Sequence, residues 1–428
     1  MLHYVKVSNT PTILIRGARQ LLTLRGAGGA RCGSAHSELA IIQDGSLLVR
    51  DGVIVEVGPT RRLENLAVAR GAQEINAAGR VVMPGFVDSH THLAFPPAGG
   101  SDDPEDAVRL VRTTNGQRLA ARMRSHIQLM ARHGTTTVEV KTGCAFDANA
   151  ELKLFRALDG LKRDPLDVIA THLLRLTEDD GAPAGPDAAD WAARELLPVL
   201  RRRRYSRFAD VAWGCDPERL PHLARHLDAA RALGFALKVH AEGPGATAAI
   251  TAAVERFATS IDHLEHATPA DTALLAGSCT IATLLPGAAF QHGGPEAPAR
   301  ALIDAGAPVA LASNFNPRNS PMLCMQTVVA LACLRLRMTP AEAVVAATIN
   351  GAHALGRGDK TGSLEPGKLA DIVILNTSDY RDLARDFGAN LVRLTMKRGE
   401  FIYREGEVAR RDDPFKNLSS RNLPGMRQ

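Results

Sequence analysis

The chain has 428 residues, 45% of them apolar and 23% charged, and its 51 basic against 46 acidic side chains give a net charge of +5. That length is more than one hydrophobic core ordinarily serves, and the composition excludes global disorder. The small charge excess and the 4% aromatic content argue against a nucleic-acid partner, and no apolar run reaches the ~18 residues of a membrane span.

In chain order, the first expected strands are Thr12–Ile15, Leu39–Ile42, Ser46–Arg50 and Val53–Val57, with Asp51-Gly52 as a hairpin turn between the last two. Met1 to Gln20 carries no compact apolar run with a small-residue cleavage site, so no secretory leader is expected. Eight further strand candidates follow at Phe86–Leu93, Thr135–Val140, Asp167–Thr171, Ala209–Trp213, Phe235–Val239, Ser260–Leu264, Thr280–Leu285 and Pro308–Ala312. Helical patterns separate most of them. In Gln117–His133, Leu119, Met123, Ile127 and Met130 recur at helical spacing and Gly134 ends the helix; Gly234 and Gly306 end two more. Eight such alternations are the count and size of a (β/α)8 barrel, and no GxGxxG follows the first strand to favour an open doubly wound sheet. Asp371–Leu375, Leu391–Met396 and Phe401–Tyr403 close the series, the last two joined by a turn at Arg398-Gly399.

Neither end has strands enough for a sheet of its own. The expected fold class is therefore α/β: a TIM-type (β/α)8 barrel over residues 83–361 and a small β-sandwich-like domain built jointly by residues 1–82 and 362–428. Arg410 to Gln428 is expected to be a polar tail. The cysteines Cys32, Cys144, Cys215, Cys279, Cys324 and Cys333 form no CxxC pair and read as reduced thiols of a cytoplasmic protein.

Polar residues gather where the apolar barrel strands end. Strand one ends in Asp88-Ser89-His90-Thr91-His92, strand two in Glu139-Val140-Lys141, strand three in His172 and strand four in Cys215-Asp216. Strand five ends in His240-Ala241-Glu242, strand six in Asp262-His263-Leu264-Glu265-His266, and strand eight in Asn314-Phe315-Asn316. In a barrel these ends share one mouth. His90 and His92 point the same way, about 6–7 Å apart at Cα by strand rise, which suits two ligands of one metal ion; the alternative is bonding to loop backbone. His240 can add a third nitrogen, and neutral imidazole matches Zn2+ or Fe2+. His263 reads as a ligand, an acid/base and substrate contact, or a core histidine, and His172 as a substrate contact or as packing. Lys141 can anchor an anion, bridge metals if carbamylated, or form a buried ion pair. His126, His133, His222 and His226 lie in helical segments and are expected in solvent, and the Arg201–Arg204 run reads as the exposed end of a helix.

With these residues the chain resembles the metal-dependent amidohydrolase superfamily and, within it, the imidazolonepropionase family, from about residue 80 to 400. The motifs are Pro84-Gly-Phe-Val-Asp-Ser-His-Thr-His92, Gly134-Thr-Thr-Thr-Val-Glu-Val-Lys-Thr-Gly143, Lys238-Val-His-Ala241 and Asp262-His-Leu-Glu265. Leu284-Leu-Pro-Gly-Ala-Ala-Phe290, Phe315-Asn-Pro317, Met338-Thr-Pro340, Ala347-Thr-Ile-Asn350 and Gly362-Ser-Leu-Glu-x-Gly-Lys368 complete them. The resemblance implies one metal ion on His90, His92, His240 and the strand-eight position, here Asn314. It implies water attack on the ring amide of 4-imidazolone-5-propanoate to give N-formimino-L-glutamate, with His263 polarising the carbonyl and His172 and Asn316 touching the substrate. It also implies a homodimer that acts on a small molecule, with no nucleic acid or membrane as partner.

Four positions depart from the family pattern. Asn314 replaces an aspartate, Gly243 a glutamate (with Glu242 one residue early), Cys144 a tyrosine that would touch substrate, and Gly99 an arginine. Glu242, Glu265 or Asp216 are then the substitute proton acceptors, and Arg318 or Lys141 the substitute partners of the propionate. The same departures leave two alternatives: a catalytically impaired, ligand-binding homologue, and an amidohydrolase of altered substrate.

Overall fold

The computed structural model describes residues 12–96, 104–143, 147–162, 164–176, 186–213, 217–318 and 320–406. Eight parallel strands form the barrel wall: Phe86–Asp88, Thr135–Lys141, Asp167–Leu176, Phe208–Trp213, Ala236–Ala241, Ser260–His263, Ile281–Leu284 and Val309–Leu311, strands one to eight. Each pairs with the next. The helix expected before strand two runs Gly116–Arg132 and buries Leu119, Met123, Ile127 and Met130, with the Asn115 side chain capping its first turn. It ends at Gly134, whose φ of +92° only glycine adopts without strain. His226 departs from expectation: on the helix Leu220–Ala232 it faces the barrel and is fully buried beside Leu223 and Leu227.

Strand one stops at Asp88, short of the expected Leu93, because the following residues meet the segment after strand eight outside any regular ladder. The Asp88 carboxylate accepts from the Ser313 N–H at 3.0 Å and its hydroxyl at 2.6 Å. His92 donates its N–H to the Phe315 carbonyl at 2.7 Å, and Asn314 to that of His90 at 3.2 Å. These contacts, with a parallel bridge between Thr91 and Phe315, close the barrel.

Strands from both chain ends form a second, separate sheet. Its order is Glu400–Arg404, Val392–Lys397, Ile372–Leu375, Val81–Pro84, Ile13–Leu22, Ile41–Arg50 and Val53–Pro59, with Gln73–Asn76 also paired to Ile13–Leu22. The two strands expected at Leu39–Ile42 and Ser46–Arg50 are one continuous strand, which absorbs Asp44 at a φ of +46°. Asp51-Gly52 makes the expected hairpin turn, both residues at positive φ. Alternation divides the burial: Val81, Met83, Val373 and Leu375 join the barrel core, whereas Val82, Ile372 and Ile374 pack into the sheet's own core. Among the described residues no helix is long and apolar enough to cross a membrane.

Asp167, the first residue of strand three, ties the sheet to the barrel. Its carboxylate meets Lys397 at 2.9 Å, Arg357 at 3.0 Å and Arg398, and Lys397 also reaches Asp371 at 2.7 Å. Burial alone raises the pKa of Asp167, but Lys397 and Arg398 outweigh it and hold the carboxyl below its ordinary value. A depressed folded-state pKa stabilises above the unfolded value and ceases to do so as pH falls through the folded one. Asp167→Asn is therefore expected to cost about 3–5 kcal/mol at neutral pH. In urea unfolding followed against pH, the difference from the parent should vanish in acid below the ordinary aspartate range.

Candidate metal centre and active site

The floor of the site is a buried lattice of charge. Lys141 of strand two bonds the carboxylates of Asp210 and, at 2.9 Å, Asp262, with Glu139 at 3.2 Å. Lys238 of strand five donates to Glu139 at 2.7 Å and to the Ser89 carbonyl at 3.1 Å. Thr171 and Ser260 complete the acceptor shells of Glu139 and Asp262 at 2.6 and 2.8 Å. All five charged side chains are inaccessible to solvent. Burial opposes the charge of Lys141, yet Asp210, Asp262 and Glu139 raise its pKa overall. Burial likewise raises Asp262, and Lys141 and Lys238 more than reverse it. Three carboxylates against two ammonium groups leave one negative charge beneath the histidines.

That lattice orients the rings. His90 Nδ1 lies 2.8 Å from Asp262, and His240 Nδ1 lies 3.2 Å from Asp210. A carboxylate only accepts, so each Nδ1 carries the proton and each Nε2 of a neutral ring offers a lone pair. Burial, then Lys141, pushes His90 well below the ordinary histidine pKa, and burial does the same to His92. His90 Nε2 and His92 Nε2 face each other at 3.1 Å, close to the ~3.3 Å between two nitrogens on one tetrahedral zinc ion. The His90 and His240 ring centroids are 4.5 Å apart, and His240 Nε2 is buried with no hydrogen-bond partner among the described residues. Three convergent ring nitrogens, two of them on imidazoles whose Nδ1 is backed by a carboxylate, fit a divalent cation.

His263 reaches the same centre, its ring nitrogen within 4.8 Å of ligand atoms on His90 and His240. It differs in charge. Burial lowers its pKa, but Glu242 at 3.1 Å and Glu265 at 3.3 Å outweigh that and hold the ring well above the usual histidine value. An imidazolium has no lone pair to give a metal, so His263 is fitted to donate a hydrogen bond instead. The chain turns sharply there, with φ of +83° at His263 and +71° at Leu264, so consecutive residues Asp262 and His263 both reach the centre.

A cleft of about 310 Å³ opens above the rings, and His92, His240, Glu242, His263, Asn314 and Asn316 are among its lining residues. Glu242 thus belongs to the site despite its offset in sequence. Asn314 sits at a φ of +54°, a conformation asparagine tolerates better than most residues. Three expectations need correction. Lys141 is walled off beneath the rings by three carboxylates, so it forms the buried ion pair and does not line the cleft. His172 faces away from the cleft: alternation turns Thr171, Leu173 and Arg175 inward, and His172 packs against His226 with ring centroids 6.3 Å apart. Arg318 is outside the cleft lining, its backbone N–H held by Asn316 Oδ1 at 3.0 Å. Gly99, Cys144, Cys215 and Asp216 lie outside the described residues.

Sequence reasoning missed Asp210, Lys238 and Arg175. The first two carried a signal, Asp210 as the one polar residue of the strand Phe208–Trp213 and Lys238 as a charge two residues before His240 in Ala236–Ala241. Arg175 carried none, because strand three runs on to Leu176 past its expected end.

Residues 97–403 match the model of the amidohydrolase family. The imidazolonepropionase of Symbiobacterium thermophilum is 38% identical over 93% of this chain and 99% of its own length; that of Parabacteroides distasonis is 37% identical over 91% and 98%. Among solved structures, an adenosine deaminase from Xanthomonas campestris with bound zinc matches at a TM-score of 0.70, covering 95% of this chain and 96% of its own, at 19% identity. A triazine hydrolase variant reaches 0.72, covering 96% and 98%, at 16% identity; at such identities both speak for the fold alone. The chain belongs to the amidohydrolase family and is a hydrolase of C–N bonds. Its near full-length kinship is with the imidazolonepropionases.

Both ring nitrogens of His172 are buried with no hydrogen-bond partner among the described residues, and burial pushes its pKa down to about 3. Replacing an unsatisfied polar ring by an apolar side chain of similar size is expected to raise stability by about 1 kcal/mol in His172→Leu. The unfolded chain takes up a proton near pH 6.5 that the folded ring refuses, so the parent loses stability as pH falls from there toward 3. The variant should lose less over that window in thermal melts; a clear destabilisation at neutral pH would contradict the assignment.

Proposed function

We propose that the protein hydrolyses the ring amide of 4-imidazolone-5-propanoate to N-formimino-L-glutamate, a step of histidine degradation. One Zn2+ or Fe2+ is held by His90, His92 and His240, with the Asn314 amide oxygen as the fourth protein donor. The observation that carries this reading is the meeting of His90 and His92 Nε2 atoms at 3.1 Å beside the unpartnered Nε2 of His240. Kinship with imidazolonepropionases over nearly the whole chain supports the substrate. We further propose a cytoplasmic homodimer; the free thiols of Cys32, Cys279, Cys324 and Cys333 suit a reducing compartment, and the family resemblance suits the dimer.

When bound, the ion supplies the Lewis acidity that brings the ionisation of water toward neutral pH. The chain supplies the rest. Asp262 and Asp210 fix the tautomers of His90 and His240. His263, charged beside Glu242 and Glu265, donates its Nε2–H, which makes no hydrogen bond among the described residues, to the amide oxygen as negative charge develops there. Burial raises Glu242, but His263 beside it outweighs that and keeps the carboxylate ionised, able to accept the proton of the attacking water. The water oxygen bonds to the amide carbon, the C–N bond breaks, and the proton passes to the departing nitrogen. With Glu242 and Glu265 in place, the Asn314 and Gly243 substitutions do not strip the cleft of carboxylates, and nothing here favours an impaired protein.

Incubation of purified protein with 4-imidazolone-5-propanoate, followed by ring absorbance, is expected to show turnover that chelation abolishes. Absence of turnover with metal bound would refute the proposal. His240→Ala should lower the metal content, by elemental analysis, from about one ion per chain to a small fraction and abolish activity. Glu242→Gln should keep the metal and lose roughly 10²–10⁴-fold in kcat.

A further inference from the structure

The proposed substrate carries a carboxylate on its side arm, while Glu242 and Glu265 bring negative charge to the cleft that must receive it. Such a substituent needs a cationic partner. Among the described residues, Arg175 is the only arginine or lysine that lines the cleft. It stands on the inward face of strand three, one alternation beyond Leu173, which lines the same wall. Its guanidinium lies over the Phe95 ring at 5.7 Å, and that ring packs edge-on against His92 at 5.4 Å. Phe95 therefore spaces the guanidinium from the imidazole centre by one aromatic ring. Stacking on an aromatic face also restrains the long side chain, so the guanidinium is held at the cleft wall.

We infer that Arg175 is the specificity residue that binds the substrate's side-arm carboxylate, holding the ring amide over the histidine centre from the strand-three wall. The inference rests on the proposed function. It assigns to Arg175 the role expected of Arg318 or Lys141, the first outside the cleft lining and the second sealed beneath it. The planar fork of arginine meets a carboxylate through two parallel hydrogen bonds, a geometry that a point charge does not reproduce.

The rival role is electrostatic support of Glu242, whose carboxylate Arg175 also favours. The two roles separate by substrate charge. The holoenzyme and its Arg175→Gln and Arg175→Lys variants are assayed with 4-imidazolone-5-propanoate and with the neutral 4-imidazolone-5-propanamide. The parent is expected to prefer the acid in kcat/KM by at least about 30-fold, the loss typical of an unpaired buried charge. In Arg175→Gln that ratio should collapse toward one, mainly through KM, and in Arg175→Lys it should be intermediate. Equal losses on acid and amide in Arg175→Gln, or no preference in the parent, would overturn the inference. Calorimetric titration with imidazole-4-propanoate tests the same contact without turnover, so a failure of the proposed reaction is told apart from a failure of the anchor. Binding tenfold or more weaker in Arg175→Gln supports the anchor, and unchanged binding overturns it.

Discussion

The structure depends on keeping five charges in the dry centre of a barrel. Glu139, Lys141, Asp210, Lys238 and Asp262 are all inaccessible to solvent, and stripping water from any one alone would cost several kcal/mol. Each is tolerable only because the others surround it. The carboxylate oxygens turned upward then bind the Nδ1 sides of His90 and His240, so the rings inherit their orientation from the ion pairs below. A lattice of this kind contributes geometry more than stability, and geometry is what a ligand-binding set of imidazoles requires.

Around this floor, one side-chain chemistry is used in two ways. The His90 and His263 rings lie 5.4 Å apart, yet His90 is kept neutral by burial and the neighbouring lysine, and His263 is kept charged by Glu242 and Glu265. Neighbouring groups driven apart in protonation divide the labour: neutral rings offer lone pairs and the charged one offers a proton. The same division accounts for the placement of Glu242. One residue early in sequence, it still reaches His263 on the neighbouring strand six from the end of strand five.

Much of this was legible from residue order. Strand ends in a barrel converge, so His90, His92, His240 and His263 could be grouped without coordinates, and Gly134 marked a helix end because its conformation excludes other residues. Less visible was the direction in which a residue points. His172 and Arg175 belong to one strand three positions apart, hence on opposite faces, and only the register identifies the inward one. Lys141 sits at a strand end like the histidines, but its partners Asp210 and Asp262 come from strands four and six and bind it below the cleft. The tie between Asp167 and Lys397 joins residues 230 positions apart, beyond any local pattern.

The seam between the first and last barrel strands lacks a ladder of its own and is stitched by Asp88, Thr91, His92, Ser313, Asn314 and Phe315. Mechanically, the cylinder has its least regular bonding along a line flanked by His90, His92 and Asn314. Anything gripping both lips of that line acts as a clasp on the whole wall, so occupancy of the mouth and rigidity of the hoop rise together.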